Sequence, residues 1–101
     1  MPQMKLLGLC GSLRIASLNR QLMREGARAF GGAFTEGDLR LPLYDGDLEA
    51  QGIPESVQAL AAAIEAADAL IIACPEYNKA PSGVLKNALD WLSRVKPNPL
   101  V

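Results

Sequence analysis

The chain has 101 residues, of which 50% are hydrophobic and 21% are charged, a balance typical of one small globular domain. Its net charge of −1 excludes a strongly basic nucleic-acid-binding domain. The lack of histidine excludes His-based triads and His metal sites, and two cysteines are too few for a four-cysteine metal site. No apolar run approaches the roughly 18 residues that span a membrane, and the N-terminus has no signal-peptide pattern, so we expect a cytoplasmic protein without a membrane or nucleic-acid partner.

An apolar strand followed by an amphipathic helix opens the chain. Residues 4–10 (MKLLGLC) predict a buried strand, and residues 18–30 predict a helix that Ser17 caps at its N-terminus. The helix positions expected to face the sheet are Leu18, Leu22, Gly26, Ala27 and Phe30. Residues 33–36 predict a short second strand, and residues 38–52 predict a loop.

The second half repeats the alternation of helix and strand. A helix is predicted from Pro54 onwards, because proline suits a first helical turn. Its apolar stripe is Val57, Leu60, Ala61, Ile64 and Ala67. Residues 69–74 (ALIIAC) predict a third buried strand, and Ser82 is the predicted N-cap of a helix over residues 84–94. Its inner face is expected to include Leu85, Ala88, Leu89 and Leu92. This order favours an α/β fold with a parallel sheet covered on both faces.

A polar loop between the first strand and the first helix, GSLRIASLNR from Gly11, has the chemistry of an anion site. The following helix start offers unpaired N–H groups and a positive dipole end. The loop adds hydroxyl, amide and guanidinium groups from Ser12, Arg14, Ser17, Asn19 and Arg20. The pattern suits a phosphate monoester, and the alternative is an ordinary turn capped by Ser17.

A second polar loop, residues 75–83 (PEYNKAPSG), follows the third strand. In open parallel α/β sheets, ligands bind at the carboxyl ends of the strands, where the strand order reverses. The ring of Tyr77 and the amide of Asn78 suit a planar ligand with a polar edge. The alternative is that Tyr77 covers the sheet edge.

The blocks GSLRIASLNR and PEYNKAPSGVLKNALDW closely resemble those of the NAD(P)H-dependent FMN reductases of flavodoxin-like fold. Relatives in that group also reduce quinones, azo dyes or chromate. The resemblance implies a flavodoxin-like three-layer α/β/α sandwich in which the strands take the order 2-1-3, the first part of a 2-1-3-4-5 sheet. It also implies an oxidoreductase that passes a hydride from NADPH or NADH through bound FMN to a flavin, a quinone or a similar small-molecule acceptor.

The match to the two motifs implies which residues bind FMN. In the first motif, the residues that would hold the phosphate are Ser12, Arg14, Ser17 and Asn19. In the second motif, the residues that would lie beside the isoalloxazine are Pro75, Glu76, Tyr77 and Asn78. Gly83 would permit close approach of the backbone at the helix start. No catalytic side chain and no metal ligand is assigned, because the flavin carries the hydride chemistry.

The resemblance also bears on completeness and assembly. The family fold needs about five strands, whereas this chain offers three, so residues 1–101 are expected to be the N-terminal part of a single domain that is incomplete at its C-terminus. Family members are commonly oligomers, which predicts a homodimer or homotetramer. Trp91 is interpreted as a core residue or a subunit-interface anchor.

Other interpretations stay open from the sequence. The chain is alternatively a non-enzymatic flavin-binding or electron-carrier domain, or an inactive fragment of such a reductase. A cysteine phosphatase is disfavoured, because three residues separate Cys10 from Arg14 and that mechanism needs five. Cys10 and Cys74 end two predicted strands, so they are either small core residues or a redox pair.

Overall fold

Three strands and the helices between them make up the computed structural model, which describes residues 4–13, 18–74 and 82–100. The strands are β1 (Lys5–Cys10), β2 (Ala33–Glu36) and β3 (Ala69–Ala73). The helices are α1 (Leu18–Phe30), α2 (Gly46–Ala50), α3 (Glu55–Ala66) and α4 (Gly83–Leu92). None of the helices in these ranges is long and apolar enough to cross a membrane.

The strands form a parallel sheet in the order β2-β1-β3. Leu7 of β1 lies opposite Thr35 of β2 and opposite Leu70 of β3. Every residue of β1 after Lys5 is buried, because this central strand has a neighbour on each side and helices on each face. The predicted strand order 2-1-3 is confirmed.

Helices cover the two faces of the sheet. On one face α1 packs against β1 so closely that a Cβ built on Gly8 would lie 2.7 Å from Met23 Sδ. On the other face α3 and α4 enclose the hydrophobic core. Its buried members are Leu7, Leu9, Leu39, Leu60, Ala61, Ile64, Leu85, Ala88 and Leu92. The α/β/α layering of a flavodoxin-like fold is therefore confirmed.

The buried face of α1 differs from the predicted one. Predicted inner residues that are exposed instead are Leu18, Leu22 and Phe30. Ala27 is buried as predicted, and Met23, which was not among the predicted inner residues, is buried as well. Because each helix residue turns by about 100°, Met23 lies about 100° from position 22 and about 140° from position 18. Gly26 faces the sheet as predicted, since a Cβ there would lie 2.8 Å from Ile71 Cδ1.

Part of the segment predicted as a loop, residues 38–52, forms the short helix α2. Asp45 caps it, and the Asp45 carboxylate accepts the backbone N–H of Asp47 at 2.8 Å. Asp47 and Glu49 lie in its first turn, where negative charge favours the positive end of a helix. The helix has no buried residue, so no apolar period marked it in the sequence.

β3 is less buried than its apolar sequence predicted. Leu70 and Ile72 are 37% and 49% exposed, while Ala69, Ile71 and Ala73 are half-buried. The reason is the position of β3 at one edge of the described sheet. The strand also ends at Ala73, one residue before the predicted end.

The predicted faces of α3 and α4 agree with the structure. The buried residues of α3 are Val57, Leu60, Ala61 and Ile64. Ser82 is the N-cap of α4, and its Oγ accepts the backbone N–H of Leu85 at 3.2 Å. The helix ends at Leu92, two residues before the predicted end. Trp91 is fully buried, so within the described chain it is a core residue.

Candidate functional site

The carboxyl ends of β1 and β3 meet at one edge of the sheet. The backbone N–H of Gly11 donates to the carbonyl oxygen of Ala73 at 2.7 Å. A Cβ built on Gly11 would lie 2.7 Å from Ser82 Oγ and 2.8 Å from Cys74 Sγ. The first polar loop therefore begins beside Cys74 and Ser82, the two described residues that flank residues 75–81 of the second polar loop.

The thiol of Cys74 helps to hold the start of α4. Its Sγ accepts the backbone N–H of Ser82 at 3.2 Å, and the thiol donates to Ser82 Oγ at 3.4 Å. Cys74 packs against the core on the α3 and α4 face. Cys10 lies opposite Ala73 in the register and so faces the α1 side. Within the described residues, neither cysteine forms a disulfide.

Three of the predicted FMN contacts fall on described residues. Ser12 directly follows Gly11 and is half-buried, and Asn19 is half-buried in the first turn of α1. Gly83 begins α4 next to Ser82, and no described atom lies within 4 Å of a Cβ built there. The predicted contacts outside the described residues are Arg14, Ser17, Pro75, Glu76, Tyr77 and Asn78.

A cluster of arginines and carboxylates beside the first loop was not anticipated. Glu36, the last residue of β2, accepts from Arg20 Nε at 3.2 Å and from Arg24 Nε at 2.7 Å. The sequence predicts Arg20 as one of the cationic groups of the first loop, and in the structure its side chain is paired with Glu36 and only 12% exposed. A sequence signal for this contact exists. Arg20 and Arg24 are four residues apart on one helix, and the next strand ends on the acidic Glu36.

A cleft of about 190 Å³ adjoins this cluster at the carboxyl ends of β1 and β2. Its lining residues are Cys10, Leu13, Arg20, Glu36, Gly37, Asp38, Leu39 and Arg40. Arg40 extends along the first loop and donates to the carbonyl oxygen of Leu13 at 3.1 Å. The edge of the sheet is therefore lined by guanidinium groups that touch the loop backbone.

The segment around Tyr44 is fixed to α4 by side-chain hydrogen bonds. Trp91 Nε1 and Asn87 Nδ2 donate to the carbonyl oxygen of Pro42 at 2.7 and 2.9 Å. Asn87 Oδ1 accepts the backbone N–H of Tyr44 at 2.7 Å. The guanidinium of Arg94 lies 5.4 Å from the centroid of the Tyr44 ring, within cation–π range.

The hydroxyl of Tyr44 is held in its protonated form by its surroundings. Its hydroxyl donates to Glu49 Oε1 at 2.6 Å, and this bond, with a smaller contribution from burial, raises the pKa of Tyr44 above its ordinary value of 10.0, while Arg94 acts in the opposite direction. The pKa of Tyr44 is therefore higher in the folded protein than in the unfolded chain. The contribution of the protonated hydroxyl to the free energy of unfolding is fully present below the unfolded-state pKa. It is lost as the pH rises through the folded-state pKa.

We therefore expect the stability difference between the native protein and Tyr44→Phe to narrow at alkaline pH. Urea unfolding at about pH 8 and about pH 11, on either side of the ordinary tyrosine pKa, measures it. Comparing the two proteins at each pH cancels the titration of other groups. An equal difference at both pH values would contradict the role assigned to the Glu49 hydrogen bond.

Comparisons with known proteins identify one family. A family model described as NADPH-dependent FMN reductase matches residues 4–101. An NAD(P)H-dependent FMN reductase of Pseudomonas aeruginosa is 44% identical over 94% of this chain and 53% of that protein. A quinone reductase of Escherichia coli is 39% identical over 97% of this chain and 55% of that protein.

A solved structure shares the fold. FerB, a flavoenzyme NAD(P)H:(acceptor) oxidoreductase from Paracoccus denitrificans, matches with a TM-score of 0.82 and 37% sequence identity. The match covers 95% of this chain and 54% of that one. The chain thus spans about half the length of the curated relatives and of the solved structure that it matches.

Proposed function

The chain belongs to the NADPH-dependent FMN reductase family, and from this premise we propose that the protein is an FMN-dependent NAD(P)H oxidoreductase. A flavin, a quinone or a similar small molecule would be the electron acceptor. The contact of Gly11 with Ser82 and Cys74 carries the proposal, because it brings the bases of both polar loops to the sheet edge where ligands bind. Relatives named FMN reductase and quinone reductase support the reaction class.

The described residues fit the phosphate end of FMN. Ser12 lies at the start of the first loop, and Asn19 lies in the first turn of α1, which follows it. The N–H groups of a first helical turn suit an anion.

Arg14 and Ser17 would complete the phosphate contacts. A guanidinium donates in a forked geometry that matches phosphate oxygens, and a hydroxyl adds a further donor. Both residues belong to the same loop as Ser12 in the sequence. This assignment comes from the motif that the chain shares with its family.

The second loop would bind the ring end of the flavin. We assign this contact to Pro75, Glu76, Tyr77 and Asn78. Gly83 supports the assignment, since no described atom lies within 4 Å of a Cβ built on it at the start of α4. When bound, FMN supplies the hydride transfer, while the chain binds and orients it. NADPH or NADH would be the donor, and we also propose a cytoplasmic homodimer or homotetramer.

Replacing Arg14 by alanine tests the phosphate assignment. We expect the affinity for FMN to fall at least about tenfold, because a charge-assisted hydrogen bond is lost. The affinity for riboflavin, which has no phosphate, should not change. Quenching of flavin fluorescence during titration measures both affinities. Arg28→Ala is the matched control, since Arg28 pairs with Glu25 on the exposed face of α1.

The wild-type titration tests the proposed function itself. Preferential binding of FMN over riboflavin, followed by oxidation of NADPH or NADH with a quinone, is the expected result. Equal binding of FMN and riboflavin would contradict the phosphate site. FMN binding without oxidation of either nicotinamide would contradict the enzymatic activity and leave a flavin-binding domain.

A further inference from the structure

Arg20 connects the first loop to the end of β2. Its Nη2 donates to the carbonyl oxygen of Ser12 at 3.0 Å, while its Nε lies 3.2 Å from Glu36 Oε2. Glu36 is held in turn by Arg24 at 2.7 Å. The side chain of Arg20 is 12% exposed, so solvent screens these contacts only weakly. Arg20 therefore anchors the loop backbone to the sheet.

Arg40 makes a second connection of the same kind. Its Nη2 donates to the carbonyl oxygen of Leu13 at 3.1 Å, across 27 positions of sequence. Its Nη1 lies 3.9 Å from Asp38 Oδ1, and the Asp38 carboxylate also accepts the backbone N–H of Arg40 at 2.9 Å. Two consecutive carbonyl groups of the first loop are thus bound by two different arginines.

Fixing a carbonyl group also fixes the N–H group of the same peptide. A trans peptide unit is planar, so its C=O and N–H bonds point in opposite directions. Where Arg20 holds the Ser12 carbonyl, the N–H of Leu13 is turned away from Arg20. Successive N–H groups turned to one side of a loop form a concave site for anions. The arginines therefore act on the groups that a phosphate needs.

We propose that Arg20 and Arg40 are positioning residues of the FMN phosphate site, an inference that rests on the proposed function. They hold the carbonyl groups of Ser12 and Leu13 and so fix the described start of the loop before the ligand arrives. Preorganisation of this kind raises affinity, because the ordering cost is not incurred on binding. Their contribution is one of geometry, since Glu36 and Asp38 offset their charge.

Arg24 provides a matched control for Arg20. It lies one helical turn further along α1 and is ion-paired to the same Glu36. Its side chain is 55% exposed, and in the described part of the chain its contact is with Glu36 and not with the loop carbonyls. If the affinity for FMN depended on positive charge in general, replacing either arginine would lower it. If the affinity depends on the position of the loop backbone, only the replacement of Arg20 would lower it.

The experiment measures dissociation constants for FMN and for riboflavin in Arg20→Met, Arg40→Met and Arg24→Met. We expect the FMN constant to rise about tenfold in Arg20→Met and about threefold in the more exposed Arg40→Met. Arg24→Met should leave it within about twofold of wild type, and the riboflavin constant should stay within about twofold in every variant. The ³¹P resonance of bound FMN should shift in Arg20→Met and not in Arg24→Met.

Arg20→Lys separates geometry from charge. Lysine keeps the positive charge but lacks the fork that reaches Glu36 and the Ser12 carbonyl together. We expect the weakened FMN binding to persist in this variant. Binding equal to wild type would show that charge suffices and would overturn the inference. If Arg20→Met does not fold, Arg20→Lys and Arg40→Met carry the test.

Failure of the inference differs from failure of the proposed function. A wild-type protein that does not prefer FMN over riboflavin would overturn both. A wild-type preference for FMN that Arg20→Met and Arg40→Met retain would overturn the inference alone. A lower melting temperature with an unchanged ratio of FMN to riboflavin affinity, and an unchanged ³¹P resonance, would show a merely structural role and would also overturn it.

Discussion

Replacement of Trp91 by alanine is expected to lower the free energy of unfolding by about 3–5 kcal/mol. The indole is fully buried, and its ring centroid lies 4.9 Å from that of Tyr44 in an edge-to-face arrangement. The substitution leaves a cavity between α4 and the segment around Pro42. The Pro42 carbonyl keeps the donor from Asn87, so most of the loss comes from packing rather than from an unpaired oxygen.

Trp91→Phe isolates the hydrogen bond from the packing. It keeps an aromatic ring but removes the N–H that donates to Pro42 at 2.7 Å. We expect the free energy of unfolding to fall by about 1 kcal/mol for the lost hydrogen bond, and to fall further because the phenylalanine ring fills less space than the indole. Far-UV circular dichroism during urea unfolding is the suitable measurement, because Trp91 is the chain's one tryptophan and its fluorescence disappears with it. A loss below about 1 kcal/mol in Trp91→Ala would contradict the core role.

Trp91 also illustrates how far the sequence determines the fold. Its helical spacing placed it on α4 but did not distinguish the core from a subunit interface, because both bury an aromatic ring. The same limit applies to α1, whose bounds were predicted and whose inner face was predicted only in part, since Ala27 is buried while Leu18 and Leu22 are exposed. Which residues face the sheet depends on how the helix packs against distant segments, as where Ile71 approaches Gly26, and periodicity does not contain such contacts.

Elements with a continuous apolar signal were predictable, and those without one were not. β1 was predicted to within one residue because all its residues after Lys5 are apolar or glycine and buried. α2 was predicted as a loop, since Asp45 caps a helix that buries nothing. The exposure of Leu70 and Ile72 depends on the place of β3 in the sheet, which its own sequence does not specify.

The candidate site divides in the same way. The motifs predicted which loops meet, and the contact between Gly11 and Ser82 agrees with that prediction. The contacts of Arg20 and Arg40 with loop carbonyls were not predictable, because each joins a side chain to a backbone oxygen whose position depends on the tertiary structure. The FMN-contact assignments themselves stay predictions, both those on Ser12, Asn19 and Gly83 and those on residues 14–17 and 75–81.

Replacing Gly11 by valine is expected to lower the free energy of unfolding by about 3 kcal/mol, at the upper end for overpacking a buried position. The new Cβ would lie 2.7 Å from Ser82 Oγ and 2.8 Å from Cys74 Sγ. Both atoms belong to short side chains that hydrogen-bond to each other, and Ser82 Oγ also caps α4. Relief of the clash therefore requires the start of α4 to move away from the end of β1.

The same movement would separate the two loops, so we expect Gly11→Val to weaken FMN and riboflavin binding together. Urea unfolding and flavin titration measure the two effects. Gly46→Ala is the control, because a Cβ on Gly46 has no described atom within 4 Å, and the change should be neutral or stabilising by up to about 1 kcal/mol. If Gly11→Val has the same stability and flavin affinity as the wild type, the close approach of β1 to α4 is not what forms the site.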